Sequence, residues 1–378
     1  MFSKRFTLFR LLGFEIKIDL TWLFLALLVT WTLAKGVFPF YFPDLAPSSY
    51  WWMGASGTLG LLVSIVFHEL CHSLVARRYG LPIKGITLFI FGGVAEMEEE
   101  PPSPKAEFLM AIAGPVASYV LALAFLAAHT LVSELEWQQP LQGVLAYLAY
   151  LNFLLATFNL IPAFPLDGGR MLRALLWGWR RNLRWATRIS SSIGSGFGLA
   201  LIALAFLAVV TGNFVTGMWW FLIGLFIRAA AGMSYERLLM QEILRGERVR
   251  RFMNAAPVTV PRSISLQQLV DDYVYKYQFK MFPVADNATL LGCVTTRQIK
   301  AFARKDWSRH TVGEVFTPCS ADNTIAPDAD ALQALSIMMR TGNSRLMVVE
   351  REKLVGIIAL KDLLQFFSLK IELEEQGV

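Results

Sequence analysis

Six runs of apolar residues dominate the first 233 positions of this 378-residue chain. A helix needs about 20 apolar residues to cross the roughly 30 Å hydrocarbon core of a bilayer, and several of the runs approach or exceed that length. Hydrophobic residues make up 55% of the chain and charged residues only 17%, which excludes an ordinary soluble enzyme. The pattern predicts about six membrane-spanning helices, at residues 19–35, 53–76, 106–131, 141–162, 190–211 and 216–233.

Lysine and arginine residues are unevenly distributed among the segments outside these runs. They occur in residues 1–18, 77–84 and 170–188 and are absent from 36–50, 132–140 and 212–217. Because short cytoplasmic loops retain positive charge, the pattern predicts a multi-pass protein of the cell membrane whose N-terminus and C-terminal region are cytoplasmic. These loops largely account for the net charge of +6, so the charge indicates no nucleic-acid partner.

The composition changes after Gly232, and residues 253–369 contain one unit twice. Each copy has a short strand, a turn, an amphipathic helix, a strand pair and a second helix; the strand pairs read "FPVADNATLLGCVT" and "LMVVEREKLVGIIA". The two copies resemble cystathionine-β-synthase (CBS) domains, which pair into a flat module that often binds adenine nucleotides. We therefore predict a transmembrane domain at 1–233, a charged linker at 234–252 and a tandem CBS pair at 253–378.

Nucleotide binding in CBS domains commonly uses a Gly-x-x-Thr-x-x-Asp stretch at the last strand and helix. The first copy has Thr295 but Gln298 in place of the aspartate, whereas the second has Asp362 but Ala359 in place of the threonine. By this resemblance Thr295 and Asp362 are candidate nucleotide contacts, and an adenine nucleotide is a candidate ligand of the module. Neither copy has the full set, so the motif predicts the fold and leaves the ligand open. CBS pairs also commonly dimerise, which predicts a homodimer.

The second predicted span contains "FHELCHS", residues 67–73. His68 and His72 are four residues apart and therefore project from one face of a helix, with Glu69 beside them. The alternative to a metal site is a histidine pair that packs and hydrogen bonds inside a helix bundle. A glutamate at bilayer depth, however, costs ~2.5 kcal/mol or more without partners, and ionisable residues there usually mark a functional site. The motif favours a metal site.

A catalytic zinc site needs a third protein ligand and an open position for water. His129 lies at the far-side end of span three and His310 lies in the soluble region, so neither is suitably placed. Asp167 lies in "FNLIPAFPLDGGR", residues 158–170, at the cytoplasmic end of span four and at a depth similar to that of the histidines. The alternative for Asp167 is a turn at the end of a helix, for which Asp-Gly-Gly is favourable chemistry. With the histidines present, ligation is favoured.

HELCH together with "NLIPAFPLDGG" closely resembles the paired motifs of the site-2 proteases, which are intramembrane zinc metalloproteases. The CBS pair is typical of a prokaryotic subgroup of that family. The resemblance implies that His68, His72 and Asp167 bind Zn²⁺ and that Glu69 is the catalytic base. It also implies hydrolysis of peptide bonds within or near the transmembrane segments of single-span membrane proteins, in the lipid bilayer, with regulation by the CBS module.

The stretch "ITLFIFGGVAEM", residues 86–97, is too short for a span and rich in β-forming residues, which predicts a hairpin that re-enters the membrane. It resembles the Gly-Gly-containing insertion beside the active site of the family, so Gly92 and Gly93 are candidate substrate contacts. An interfacial hairpin without substrate contact is the alternative. Asn159 occupies the asparagine position that the family has upstream of its ligand aspartate. It is a candidate donor to an oxyanion or to the substrate, or a link between two spans.

The predicted fold is an α-helical membrane protein of about six transmembrane helices with a re-entrant β-hairpin, followed by an α/β paired CBS module. Two other functions fit parts of the sequence. CBS pairs also occur on transporters and channels, which suggests a nucleotide-gated permeation protein, but the six spans contain no inverted repeat. A catalytically inactive scaffold is disfavoured because all three candidate ligands and the base are present.

Overall fold

The computed structural model describes residues 5–90, 92–97, 100–286 and 289–374. The chain divides into two compact units, Met1–Glu236 and Arg237–Val378. Six helices of the described residues are long and apolar enough to cross a membrane, which confirms the number of predicted spans. The helices before the CBS region are Leu20–Tyr41 (α1), Pro47–Arg78 (α2), Pro104–Glu134 (α3), Gln139–Asn159 (α4), Asp167–Arg180 (α5), Leu183–Val210 (α6) and Phe214–Leu244 (α7), of which all but α5 are candidate spans.

Capping residues begin several of these helices. Asp19 accepts a hydrogen bond from the backbone nitrogen of Thr21 at 2.9 Å at the start of α1. Ser103 accepts one from the backbone nitrogen of Ala106 at 3.2 Å at the start of α3. Because caps and not apolarity determine where a helix begins, several helices extend beyond the predicted apolar runs. Helix α2 has no side-chain cap; it begins at Pro47, a residue favoured at the first helical position, and not at residue 53.

Several predicted span ends differ from the structure. The first span was predicted to end at residue 35, but α1 continues to Tyr41. The predicted fourth span runs to residue 162, but α4 ends at Asn159, because Pro162 has no backbone N–H and disfavours helical geometry in the residue before it. Helix α7 continues to Leu244, whereas span six was predicted to end at 233. The segment "YERLLMQEIL" is rich in strong helix formers, and its charge ends the apolar run without ending the helix. The predicted linker is therefore helical over residues 234–244, and its role as a linker stays a prediction.

Helix α5 is a feature that the sequence analysis treats as a loop. It begins at Asp167, where a carboxylate in the first turn is favourable for the helix dipole, and it ends at Arg180, before Arg181, whose backbone is left-handed with φ of 52°. Its arginines interrupt every apolar run, so it does not resemble a span, yet its apolar residues still lie mainly on one face. Helix α5 packs against α3 and α6.

A four-stranded sheet accompanies the helices of the first unit. Its strands are Arg5–Leu11 (β1), Phe14–Asp19 (β2), Ile83–Phe89 (β3) and Gly92–Met97 (β4), in the order β1-β2-β3-β4. Strands β2 and β3 are parallel, and the other two pairs are antiparallel. The hairpin predicted within 86–97 is present as β3 and β4, but its re-entry into a membrane stays a prediction. The N-terminal strands were not predicted, although Phe14, Ile16 and Ile18 alternate and are buried.

Helix α2 packs against α1, α3 and α4 and also against β3 and β4. The apolar residues of β2 and β3 form a buried cluster with residues of α1 and α2, including Trp22 and Leu70. The sheet is thereby fixed beside the helix that carries the HELCH motif. This arrangement brings the β3–β4 hairpin and the two histidines to the same part of the molecule.

The second unit contains the two predicted repeats. The first has helical turns at Leu266–Gln268, Leu269–Val274, Tyr275–Tyr277, Thr296–Ile299 and Val312–Val315, and strands Met281–Asp286 (β5), Thr289–Thr295 (β6) and Thr317–Pro318 (β7). The second has Thr324–Ile325 (β8), Ala331–Thr341 (α8), Arg345–Glu350 (β9), Lys353–Ala359 (β10) and Leu360–Glu374 (α9). An antiparallel strand pair forms the centre of each copy. Met281, Cys293 and Met347 form a buried cluster between the copies. The predicted fold class, a six-helix membrane protein followed by an α/β CBS pair, is confirmed apart from the re-entry of the hairpin.

Candidate metal centre and active site

His68 and His72 lie on one face of α2, one turn apart, and both are buried, at 4% and 6% exposure. Their Nε2 atoms are 3.0 Å apart. Two ring nitrogens at this distance both point into the same small space. The two imidazoles are therefore arranged to bind one common partner.

Asp167, the first residue of α5, supplies a carboxylate to the same space. Its Oδ2 atom lies 3.1 Å from Nε2 of His68 and 3.2 Å from Nε2 of His72. The chain reaches this position through the turn between Asn159 and Asp167, which separates the end of α4 from the start of α5. Asp167 was predicted to lie at the end of span four, whereas it begins a separate helix. Because side chains of a helix tilt toward its N-terminus, a carboxylate in the first turn projects toward the helix start, where it meets α2.

The three side chains fit a divalent metal ion. A tetrahedron whose corners lie about 2.0 Å from its centre, the usual Zn–N and Zn–O distance, has edges of about 3.3 Å. The three edges formed by His68, His72 and Asp167 measure 3.0, 3.1 and 3.2 Å. Three ligands leave the fourth corner open, as in catalytic zinc sites. Among the described residues, this is the one cluster of three or more His, Cys, Asp or Glu side chains whose ligand atoms lie within 4.8 Å of one another.

Helix α3 holds the second nitrogen of each imidazole. Nδ1 of His72 lies 2.6 Å from the Met110 carbonyl oxygen, and Nδ1 of His68 lies 2.9 Å from Oγ of Ser118. A carbonyl only accepts, so Nδ1 of His72 donates its proton to Met110, and its Nε2 keeps the lone pair that a metal requires. Met110 and Ser118 are not among the site residues predicted from the sequence. Metal-binding histidines need such partners, but the sequence does not say which helix provides them.

Gly114 lies between these two hydrogen bonds and faces both rings. A Cβ atom built on Gly114 would meet Nε2 of His72 and, at 2.5 Å, Nε2 of His68. Optimal non-bonded contacts between heavy atoms lie at about 3.5–4.0 Å. Only glycine therefore fits at this position. In the sequence, a glycine inside a span indicates close helix packing but does not identify the rings as the contact.

Glu69 is adjacent to the histidines and lies against the β3–β4 hairpin. A Cβ atom on Gly93 would lie 2.5 Å from Cγ of Glu69 and 3.1 Å from its Oε1. The hairpin predicted to lie beside the site thus contacts the candidate base through Gly93. Gly92 is next to it in the chain, and no atom of the described residues lies within 4 Å of the corresponding position on Gly92.

Asn159 uses its side chain within its own helix. Its Nδ2 atom donates to the Leu155 carbonyl oxygen at 3.0 Å, so binding an oxyanion through that proton requires this bond to break. The asparagine that links two spans is Asn152, whose Nδ2 donates to Oγ of Ser64 on α2 at 2.9 Å. Asn152 is fully buried, and the sequence analysis did not single it out.

The second unit contains a cleft of about 300 Å³ between the two copies. Its lining residues are polar or basic for the most part: Lys280, Met281, Cys293, Thr295, Thr296, Arg297, Asn323, Gly342, Asn343, Ser344 and Arg345. Burial lowers the pKa of the Arg345 guanidinium, and the charge of Asp362 opposes that effect. Three cations and no carboxylate line the cleft, which suits an anion.

The two motif residues predicted for nucleotide binding differ in position. Thr295 lines the cleft, but its hydroxyl and backbone nitrogen both donate to Oε1 of Gln298, at 3.0 and 2.6 Å. Asp362 is not among the lining residues, and its Oδ2 accepts from the Ala359 backbone nitrogen at 3.2 Å. Gln298 and Asp362 thus both serve to cap the helix that follows the strand pair.

The first and second units match two different families of known proteins. The model of peptidase family M50 matches residues 56–136 and 130–205, and a CBS domain model matches residues 312–369. Rip3 of Mycobacterium tuberculosis, whose name places it among zinc metalloproteases, is 35% identical over 355 residues, which cover 93% of this chain and 90% of Rip3. The chain belongs to peptidase family M50. This confirms the resemblance to the site-2 proteases.

Other M50-like proteins match over most of the chain. The zinc metalloprotease MJ0392 of Methanocaldococcus jannaschii is 31% identical over 375 residues, which cover 98% of this chain and 97% of MJ0392. A solved structure of a site-2 protease from the same organism is 29% identical, with a TM-score of 0.43. The match covers 61% of this chain and 94% of the protease chain. The M50 match in this chain includes His68, His72 and Asp167.

Proposed function

We propose that this M50 chain is an intramembrane zinc metalloprotease that hydrolyses peptide bonds within or near transmembrane segments. His68, His72 and Asp167 bind Zn²⁺, and Glu69 is the general base. The observation that carries the proposal is the meeting of three ligand atoms from α2 and α5 at 3.0 to 3.2 Å, with the second nitrogen of each histidine already bonded to α3.

The chain's own residues divide the chemistry between them. Zn²⁺ bound at this site supplies Lewis acidity, which lowers the pKa of water to about 7 and polarises a peptide carbonyl. Glu69 takes a proton from the attacking water onto a carboxylate oxygen and delivers it to the nitrogen of the leaving amine. The contact with Gly93 limits where the Glu69 side chain can lie. The buried hydrogen bonds to Met110 and Ser118 keep both rings oriented.

Zinc content tests this assignment directly. His68→Ala, His72→Ala and Asp167→Ala are each expected to weaken zinc binding by more than the about 10- to 100-fold that loss of an outer-shell partner costs, because each removes a ligand. Zinc per chain and its dissociation constant would be measured on the purified protein by competition with a chelating dye. His129→Ala and His310→Ala are matched controls and should bind zinc as the unaltered protein does. Ligand variants that keep full affinity would exclude this metal centre.

The substrates we propose are single-span membrane proteins, whose helices must unwind locally because a helix hides its carbonyl groups in its own hydrogen bonds. Strand β4 is an edge of the sheet and lies against Glu69, so an unwound substrate segment could pair with it near Gly92 and Gly93. Introducing a charge within residues 86–95 should therefore slow cleavage without changing zinc content. Unchanged cleavage would exclude strand addition at this hairpin.

The charge pattern supports a cytoplasmic location for the N-terminus and the CBS pair, in the cell membrane. Cys319 is exposed, whereas Cys293 is buried and Cys71 lies in α2. Cys319 should therefore react with a membrane-impermeant maleimide only after cells are opened. Labelling in intact cells would contradict the proposed orientation.

The CBS cleft supports regulation of cleavage by an adenine nucleotide. Arg345→Glu in the full chain reverses one of the cations that line it and is expected to weaken ATP binding about 10-fold or more, the loss of one charge-assisted hydrogen bond. Binding of fluorescent ATP and cleavage with and without ATP would both be measured. Arg340→Gln is the control, because Arg340 is exposed and pairs with Asp322. Equal ATP binding by the unaltered protein and Arg345→Glu would exclude this cleft as the nucleotide site.

The predicted homodimer would be tested by the mass of the solubilised protein.

A further inference from the structure

One stripe of helix α3 contacts both histidines of the candidate metal centre and also the helix that begins with Asp167. Glu107, Met110, Gly114 and Ser118 are three, four and four residues apart and so lie on one face of the helix. Met110 bonds to His72, Gly114 faces both rings and Ser118 bonds to His68. Glu107 is the one residue of this stripe whose contact has not yet been assigned a role in the metal centre. Its partner is on α5, the helix that begins with Asp167.

Glu107 and Arg173 form a buried ion pair between α3 and α5. Their exposures are 0% and 4%, and Nε of Arg173 lies 2.6 Å from Oε1 of Glu107. A second guanidinium nitrogen of Arg173 also pairs with Oε1 of Glu107 and lies 3.1 Å from Oε2 of Glu100. Nε of Arg170 lies 3.9 Å from Glu107, so two arginines of α5 meet one carboxylate of α3.

Stability alone does not account for a buried pair of this kind. Removing two charges from water is unfavourable, and a well-packed apolar pair in the same place is often as stable or more so. A planar guanidinium that meets two carboxylates does, however, allow one orientation where an apolar contact allows several. Arg173 lies less than two turns after Asp167 on a short helix, so the position of Arg173 determines where the Asp167 carboxylate lies.

We propose that Glu107 and Arg173 are positioning residues, whose ion pair fixes α5 on α3 so that the Asp167 carboxylate meets the two imidazoles. Helix α3 then aligns all three ligands from one stripe, the histidines directly and the aspartate through Arg173. This inference rests on the proposed function of the three ligands as a zinc site. It assigns no contact with substrate to either residue.

The test measures zinc affinity of the full chain and not its activity. In the double variant Glu107→Gln with Arg173→Met both charges of the buried pair are removed together, and the charges that remain, on Glu100 and Arg170, belong to partly exposed side chains. It is expected to weaken zinc binding about 10- to 100-fold, the range for loss of a residue that orients a ligand. Arg173→Lys keeps the charge but not the planar fork. We expect it to weaken zinc binding less than the double variant does. Arg180→Gln, at the exposed end of the same helix, is the control and should not change zinc affinity.

A second comparison separates positioning from general loss of structure. The same pair of substitutions is made in the Asp167→Asn protein, where the carboxylate that the pair positions is already absent. Zinc binding there should weaken no further. An equal weakening with and without Asp167 would overturn the inference, because it would show a structural effect on the whole centre. The Arg173→Lys comparison in both backgrounds gives the same distinction if the double variant does not fold.

The remaining outcomes distinguish this inference from the function on which it rests. Full zinc affinity in the double variant, together with loss of zinc in His68→Ala, would overturn the positioning role and leave the metal centre intact. Full zinc affinity in His68→Ala would overturn the metal centre and this inference with it. Thermal unfolding of each metal-free variant accompanies both measurements, so that a change in affinity is compared between folded proteins.

Discussion

Glu69→Gln is expected to keep the full zinc content of the protein and to cleave a single-span substrate about 10²- to 10⁴-fold more slowly, the range that general acid–base catalysis contributes. The three ligand atoms belong to His68, His72 and Asp167, so the substitution removes none of them. Glutamine has nearly the same shape as glutamate, and the close approach of Gly93 is preserved. Only the ability to accept and return a proton is lost.

Purified protein in liposomes with a single-span substrate gives the rate, and metal analysis of the same sample gives zinc per chain. Glu134→Gln is the matched control, because Glu134 is exposed at the far end of α3 and the chemical change is identical. Retention of cleavage by Glu69→Gln would remove Glu69 from the reaction. Loss of zinc from the same variant would instead make Glu69 part of the metal centre. A transporter, the alternative that CBS pairs suggest, would show no dependence of peptide cleavage on this residue.

The sequence identified the candidate ligands because their chemistry is unusual for their surroundings. Two histidines one helical turn apart and an aspartate among prolines and glycines are unusual within or next to apolar spans. Their similar predicted depth in the membrane indicated that they could meet. The helix that Asp167 begins was missed, because the arginines of α5 interrupt every apolar run and an amphipathic helix between spans reads as a loop. Strands β1 and β2 were missed for a related reason, since the basic residues there were read only as a topology signal.

The contacts that hold the ligands could not be predicted in the same way. Met110 takes part through its backbone carbonyl, which every residue has, so no side chain marks it in the sequence. Ser118 is one of several small polar residues in the spans and resembles a packing residue until its neighbour is known. Asn159 matched a family position, yet in the structure Asn152 is the residue that joins α4 to α2. Sequence spacing defines a face of one helix, but only the fold defines which face of another helix it meets.

Gly114→Ala is expected to weaken zinc binding about 10- to 100-fold and to lower cleavage with it. Alanine in place of glycine inside a helix usually stabilises a protein by about 0.5–1 kcal/mol, so helix propensity alone predicts a benefit. At Gly114 the added carbon would instead meet Nε2 of both His68 and His72. Overpacking of this kind costs about 1–3 kcal/mol, which exceeds the gain. Relief requires the rings to shift, and a shift disturbs the 3.0 to 3.2 Å spacing of the three ligand atoms.

Gly196→Ala is the control, since it makes the same change in helix α6 and, in the part of the chain that the structure describes, nothing lies within 4 Å of its added carbon. It should keep zinc affinity and cleavage and leave thermal stability equal or higher. Gly93→Ala makes a second comparison, because its added carbon would meet Glu69 and not the imidazoles. We expect Gly93→Ala to keep zinc and lose cleavage, whereas Gly114→Ala loses both. If Gly114→Ala bound zinc as tightly as Gly196→Ala does, the close packing of α3 on the two rings would not hold in the metal-bound protein.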